Sequence, residues 1–283
     1  FDSSGVMYIA NGEGVSASST DGVIHKTQPA SALSTSPRGM TYDPVNEHLY
    51  LLVNGPSSSN DWMVKLTTAG VQVGDAIDTG VVTADGLAYL SGSVYVLWEN
   101  NQSTTKAKAW SVSGASFGSP FTLSTQYQGW GAEAFTSDGS TLFGYRGSSS
   151  SWNTWDTAGD SDESGECNNC TSISNGAKAA AYRSSQGRYF LAKNNDIDMI
   201  ASLDGQSTNN SSTFADLTDG TNNLKIKGMT FVGDVLYMAD DQNDQILKAS
   251  IPTGETTNPV ALTNDGTFLW AITNGTSGSD TLL

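Results

Sequence analysis

Carboxylates are the best-supplied chemical groups in this chain, and they gather in three places. The densest is DSDESGE, which holds Asp160, Asp162, Ser164 and Glu166. Asp160, Asp162, Ser164 and Gly165 fall at positions 1, 3, 5 and 6 of an EF-hand-type calcium loop, with the glycine where such a loop turns sharply. The twelfth position is Thr171, where a bidentate glutamate would complete the shell. Crowded carboxylates repel one another and a hard cation relieves that repulsion, so Ca2+ is the ion this stretch would take. A solvated acidic loop is the competing reading. The other two clusters are ADDQNDQ, with Asp240, Asp241 and Asp244, and NNDIDM, with Asp196 and Asp198. Each follows a hydrophobic run, and Asn11, Asn54, Asn100 and Asn274 stand at corresponding places. Asp or Asn at a strand end hydrogen-bonds nearby backbone, so turn formation is the first expectation there and axial metal or ligand contact the second.

The remaining catalytic side chains are few. His25 and His48 are the two histidines, which rules out a multi-histidine metal centre, and no G-x-S-x-G elbow occurs. Of four arginines, Arg38, Arg146, Arg183 and Arg188, Arg38 precedes an inner strand and is the one placed to approach an axis; a salt bridge or surface position is its ordinary alternative. Trp152 and Trp155 lie in the polar stretch SSSSWNTWDT, where an exposed indole would stack on a sugar ring; packing between layers is the alternative. Cys167 and Cys170 in ECNNCTS lack the second ligand pair a zinc site needs, and are expected to close a short local disulfide. Such a bond stiffens its loop and implies an oxidising, extracellular setting. Sequons at Asn101, Asn169, Asn209, Asn210 and Asn274 permit glycosylation in such a setting.

Charge narrows the partners. Acids outnumber bases 29 to 13 in 283 residues, for a formal charge of -16. Phosphate backbones and anionic lipid surfaces are therefore repelled, and neither nucleic acid nor membrane insertion is expected. Protein partners, self-association and glycans are the partners left.

These groups must be positioned by short strands, because 30 glycines and an abundance of Ser, Thr and Asn point to many turns. One unit recurs: a small-residue strand ending in an aromatic, a turn, then a more hydrophobic strand. RGMTYDPVNEHLYLLVN, DGLAYLSGSVYVLWEN, GAEAFTSDGSTLFGYRG, AKAAAYRSSQGRYFLAKN and KGMTFVGDVLYMADD are its copies, and GVMYIANGEG matches the second strand alone. The aromatics Tyr8, Tyr50, Tyr95, Phe143, Tyr189 and Tyr237 follow one another at 42 to 48 residues, the spacing of β-propeller blades. DWMVKLTT, KAKAWSVS, DMIASLDG and QILKASIPTG read as third strands; SPFTLST, STFADLT and NPVALTN read as outer fourth strands.

The expectation is one all-β domain, a propeller of six four-stranded blades closed by the N- and C-terminal segments, with seven as the alternative. The units would be 1–37 with 265–283, then 38–84, 85–130, 131–176, 177–226 and 227–264. Closing strands supplied by a neighbouring subunit would instead make a polymer.

GMTYDPVNEHLYLLV and GMTFVGDVLYMADDQNDQILKAS resemble the diverse NHL, YncE and SMP-30-like propeller repeats, across most of the chain. That resemblance implies architecture strongly and activity weakly, since such propellers include lactonases, lyases, sensors, adhesion modules and scaffolds. The leading functional expectation is a non-catalytic extracellular or cell-surface propeller with a structural, adhesion or assembly role. The alternatives are a metal-dependent hydrolase or lyase with an axial site, and a carbohydrate-binding lectin.

Overall fold

The computed structural model describes residues 8–11, 14–17, 23–24, 36–55, 60–100, 104–124, 133–146, 151–166, 176–193, 196–200, 211–216, 224–242, 245–250, 259–264, 269–274 and 280–282. They form 26 strands, and among them there is no helix and hence none able to cross a membrane.

The N-terminal part contributes β1 (Tyr8–Asn11) and β2 (Gly14–Ala17), which pair with each other, and β3 (Val23–Ile24). Five antiparallel meanders follow. The first sheet is β4 (Pro37–Asp43), β5 (His48–Asn54), β6 (Asp61–Thr67) and β7 (Ile77–Asp78). The second is β8 (Ala84–Leu90), β9 (Ser93–Asn100) and β10 (Thr104–Ser111), with both β11 (Ser116–Phe117) and β12 (Phe121–Thr122) on the outer edge of β10. The third is β13 (Ala134–Ser137), β14 (Leu142–Arg146), β15 (Ser151–Trp155) and β16 (Ser161–Glu166). The fourth is β17 (Ala179–Arg183), β18 (Arg188–Lys193), β19 (Asp196–Ile200) and β20 (Ser211–Asp216). The fifth is β21 (Ile226–Val232), β22 (Val235–Asp240) and β23 (Gln245–Ser250). Its fourth strand is β3, so a segment from the start of the chain completes the last meander.

Side chains alternate across a strand, and here both faces are buried. In β5, Leu49, Leu51 and Val53 pack toward the fifth sheet, whereas Tyr50 and Leu52 pack toward the second. In β22, Leu236 and Met238 face the fourth sheet while Tyr237 and Ala239 face the first. The same two-sided arrangement gives five separate apolar cores, one between each successive pair of sheets, and the cycle closes where the fifth meets the first. The first strands touch in the same order: β4 meets β8, β8 meets β13, β13 meets β17, β17 meets β21, and β21 meets β4. Glycines permit this approach. A Cβ on Gly39 would lie 2.6 Å from the Leu87 nitrogen, one on Gly86 would lie 2.7 Å from the Phe135 Cβ, and one on Gly228 would strike the Arg38 carbonyl oxygen.

The architecture is thus all-β and propeller-like. The aromatic spacing leads to an expectation of six or seven blades, but the cycle of described sheets passes directly from β21 to β4. Tyr8, one of the six counted aromatics, lies on a strand that among the described residues pairs with β2, outside this cycle. NPVALTN, read as an outer strand of the 227–264 unit, is β24 (Pro259–Asn264) and pairs instead with β25 (Leu269–Asn274), which pairs with β26 (Asp280–Leu282). The fourth repeat also differs by one residue from its sequence alignment. Thr41, Ala88, Thr136, Ala181 and Thr230 sit opposite Tyr50, Tyr95, Phe143, Phe190 and Tyr237, so Phe190 rather than Tyr189 is the equivalent aromatic.

Candidate functional site

Each repeat places a charged residue one position before the small residue that lets the first strands meet: Arg38 before Gly39, Asp85 before Gly86, Glu133 before Ala134, Lys178 before Ala179 and Lys227 before Gly228. Because the five first strands run side by side around the axis, these side chains gather at one end of it. There they line a cavity of about 240 Å³, together with Ser36 and Asp241. Backbone pairing holds the ring in place: the Glu133 N–H donates to the Tyr145 carbonyl at 2.9 Å, and the Lys178 N–H to that of Ala192 at 2.9 Å.

The charges are unequally matched. Lys178 Nζ lies 3.1 Å from Glu133 Oε1, and Arg38 Nη1 lies 3.6 Å from Asp61 Oδ2, a buried carboxylate that also accepts the Ala84 N–H. Asp241 is 3.2 Å from Lys225 Nζ. Asp85 Oδ2 accepts the Glu99 N–H at 3.2 Å, but desolvation outweighs that bond and the neighbouring cations, and its carboxyl is pushed up to about 6. Burial and then the proximity of Lys178 and Lys225 push the Lys227 ammonium below its ordinary value. A half-buried acid raised and a half-buried amine lowered, facing one small cavity, is the kind of perturbation that accompanies ligand and catalytic sites.

At the opposite end of the ring, polar groups are consumed in fastening sheet to sheet. Asp138 Oδ1 accepts the N–H groups of Ser140 at 2.8 Å and Thr141 at 2.7 Å, while Oδ2 accepts the Tyr189 hydroxyl at 3.1 Å. The Tyr89 hydroxyl likewise donates to Asp43, the Tyr237 hydroxyl donates to the Thr68 carbonyl at 3.2 Å, and fully buried Arg183 pairs with Asp234 at 3.1 Å. His48 lies at this end, in a second cavity of about 400 Å³ between the first two sheets, beside Tyr50, Tyr89 and Trp110. Burial pushes the Tyr50 phenol up to about 12.

The candidates from sequence are redistributed. Trp152 and Trp155 are 1% and 0% exposed, so neither can stack on a sugar. They fill the third sheet's two faces, because β15 is sandwiched between neighbours despite its polar flanks. The calcium loop is not formed either. Ser161–Glu166 is strand β16, paired with β15. An extended strand sets Asp162, Ser164 and Glu166 about 6.6 Å apart in a row, where a single ion needs oxygens at about 2.3–2.6 Å. Gly165 makes room for the Trp152 ring, whose Cζ2 would lie 2.7 Å from an added Cβ, and no sharp turn is present. Among the described residues no three His, Cys, Asp or Glu side chains converge as a metal site would need.

Asp240 forms a turn: its wholly buried carboxylate accepts the N–H groups of Lys225 at 2.9 Å and Gln242 at 3.1 Å. Asn274 ends β25. Cys167, Cys170, Asn101, Asn169, Asn209, Asn210, His25 and Asp244 lie outside the described residues. Sequence reasoning placed Arg38 near the axis but missed Asp85, Glu133, Lys178 and Lys227. The available signal was a single repeat position charged in all five copies, in a chain where only 15% of residues carry charge.

No protein-family model matches the chain, and no curated protein sequence does. Solved structures do match. The crystal structure of Myxococcus xanthus glutaminyl cyclase superposes with a TM-score of 0.57 at 10% identity, over 76% of this chain and 90% of that one. A nidogen/laminin complex superposes with a TM-score of 0.53 at 9% identity, over 87% of this chain and 89% of that one. At such identities the likeness is one of fold, and with the ring described above it defines the class: a β-propeller-type protein with a charged cavity on its axis.

Proposed function

We propose that this protein is a five-bladed propeller that binds a small charged ligand in the axial cavity, as a recognition module rather than a catalyst. The observation carrying the proposal is that all five repeats devote the same position to a charged side chain around one cavity. Charges cost desolvation free energy at such a place, and the fold does not need them there, since the alanines and glycines beside them perform the packing. The sequence resemblance to NHL, YncE and SMP-30-like repeats supports placing the chain with those propellers. The formal charge of -16 supports an extracellular or cell-surface setting, where adhesion or assembly would use the outer strands and leave the axis free.

An enzymatic role at the axis is a second reading, favoured by the Asp85 carboxyl near 6, a value suited to proton transfer close to neutrality. Its metal-dependent form has no ligand set among the described residues.

A thermal-shift panel of small carboxylic acids, amines and amino acids tests the binding role. At least one class is expected to raise the melting temperature of the native protein in a saturable way, and to lose that effect in the Asp85→Asn, Lys227→Gln double variant. Identical responses from both proteins to every compound would rule the cavity out as a ligand site.

A further inference from the structure

The order of charges around the ring narrows the ligand class, an inference that rests on the binding role proposed above. Taken in sheet order the ring reads Arg38, Asp85, Glu133, Lys178, Lys227. The two acids stand on neighbouring second and third sheets. The three cations stand on the fourth, fifth and first, which are also neighbours because the cycle closes. Charges that served only to neutralise one another would alternate; these are segregated into two arcs.

The pairs already made leave one group open on each arc. Lys178 engages Glu133 where the arcs meet, and Arg38 leans on Asp61 behind the cavity wall. Asp241, the one acid on the cationic side, engages Lys225. Lys227 has no ion pair among the described residues; it sits within the field of Lys178, Lys225 and Arg38, which the attraction of Asp241 offsets only in part. Across the cavity, Asp85 Oδ1 has no hydrogen-bond donor among the described residues, the one N–H from Glu99 being taken by Oδ2. The first sheet separates these two groups, so they do not satisfy each other. The lining totals three cationic and three acidic side chains, which favours a guest with no net charge but two opposite poles.

We infer that the axial cavity binds a small zwitterion of the free amino acid class, its carboxylate directed to Lys227 and Arg38 and its ammonium to Asp85 and Glu133. A cavity of about 240 Å³ holds one such molecule and excludes a folded peptide or an oligosaccharide. Each pole forms a charge-assisted hydrogen bond in a partly desolvated site, and removal of either pole leaves a buried charge unmatched.

Calorimetric titration of the native protein with glycine, L-alanine and L-glutamine tests this, with the N-acetyl and carboxamide derivatives of each in parallel. At least one free amino acid is expected to bind saturably, with each blocking group weakening its binding by about ten-fold or more. Lys227→Gln should erase the difference between acid and carboxamide, and Asp85→Asn the difference between free and acetylated amine. If an N-acetylated acid binds as tightly as its parent, the site recognises anions, and the zwitterion inference fails while the binding role stands. If no free amino acid and no blocked form binds, the zwitterion inference fails, and the binding role fails with it only if the carboxylic acids and amines of the thermal-shift panel are also without effect.

Discussion

The two ends of the ring hold the same kinds of side chain under opposite conditions. At the turn end, Asp43 accepts the Asn46 side-chain amide, backbone N–H groups and the Tyr89 hydroxyl, Asp138 accepts backbone N–H groups and the Ser140 and Tyr189 hydroxyls, and these donors hold both carboxyls below the usual range despite burial. At the cavity end, Asp85 has one such donor and its carboxyl rises to about 6. Desolvation raises the carboxyl at both ends; the several donors at Asp43 and Asp138 outweigh it, and the single donor at Asp85 does not. The turn end uses its polar groups to fasten blades. The cavity end leaves part of its polar capacity unspent, as expected where a ligand supplies the missing partner.

Substitutions at the two ends should therefore differ in size and in sign. The largest effect is expected from Asp138→Ala, which strips acceptors from Ser140, Thr141 and Tyr189 together. A loss of about 2–3 kcal/mol is expected in chemical denaturation, with Tyr189→Phe nearly neutral in the Asp138→Ala background. A loss below about 0.5 kcal/mol would show that the Asp138 contacts do not fasten the third sheet to the fourth.

Asp85→Asn is expected to act in the opposite direction, stabilising the ligand-free protein by about 2 kcal/mol near neutral pH. Because the folded carboxyl titrates near 6 and the unfolded one near 3.8, the folded chain holds the extra proton between those values. Its contribution is therefore complete at pH below the unfolded value and is lost as pH rises through the folded one. Asp138, held low, contributes in the reverse sense: present above the ordinary carboxylate value and lost as pH falls. Stability measured against pH should lose its decline between about pH 4 and 6 in Asp85→Asn alone; an unchanged profile would deny the difference between the ends.

The smallest effect is expected from Lys227→Gln, within about 0.5 kcal/mol of the native protein, since relief of desolvation and of repulsion from Lys178 and Lys225 offsets the lost attraction to Asp241, and no ion pair among the described residues is broken. A large loss would give Lys227 a structural role and make the cavity end resemble the turn end.

The propeller architecture was legible because period-2 alternation, Gly- and Asp-rich turns and a spacing in the forties are local properties, repeated often enough to be counted. RGM, DGL and KGM even carried the glycines that the crowded axis requires. Blade number was less legible: Tyr8 sits in a stretch that looks like a copy, and only pairing shows that, among the described residues, its strand joins β2 in a two-stranded sheet outside the five-sheet cycle. The one-residue offset at Tyr189 and Phe190 was hidden for the same reason, since two adjacent aromatics fit the count equally well.

For the site, residue type was misleading and position was informative. Polar neighbours made Trp152 and Trp155 look exposed, and acidic neighbours made Asp160 to Glu166 look like a loop. Inter-sheet packing buried the first pair and strand pairing straightened the second stretch, and both forces come from residues far away in the chain. By itself, then, the sequence determined the repeat, the strands and the charged position within each repeat, because these depend on neighbours along the chain. Tertiary structure alone decided that the five positions meet at one cavity, in an order that separates acids from bases. Closure of the ring sets that order, and closure depends on β21 finding β4 across nearly two hundred residues.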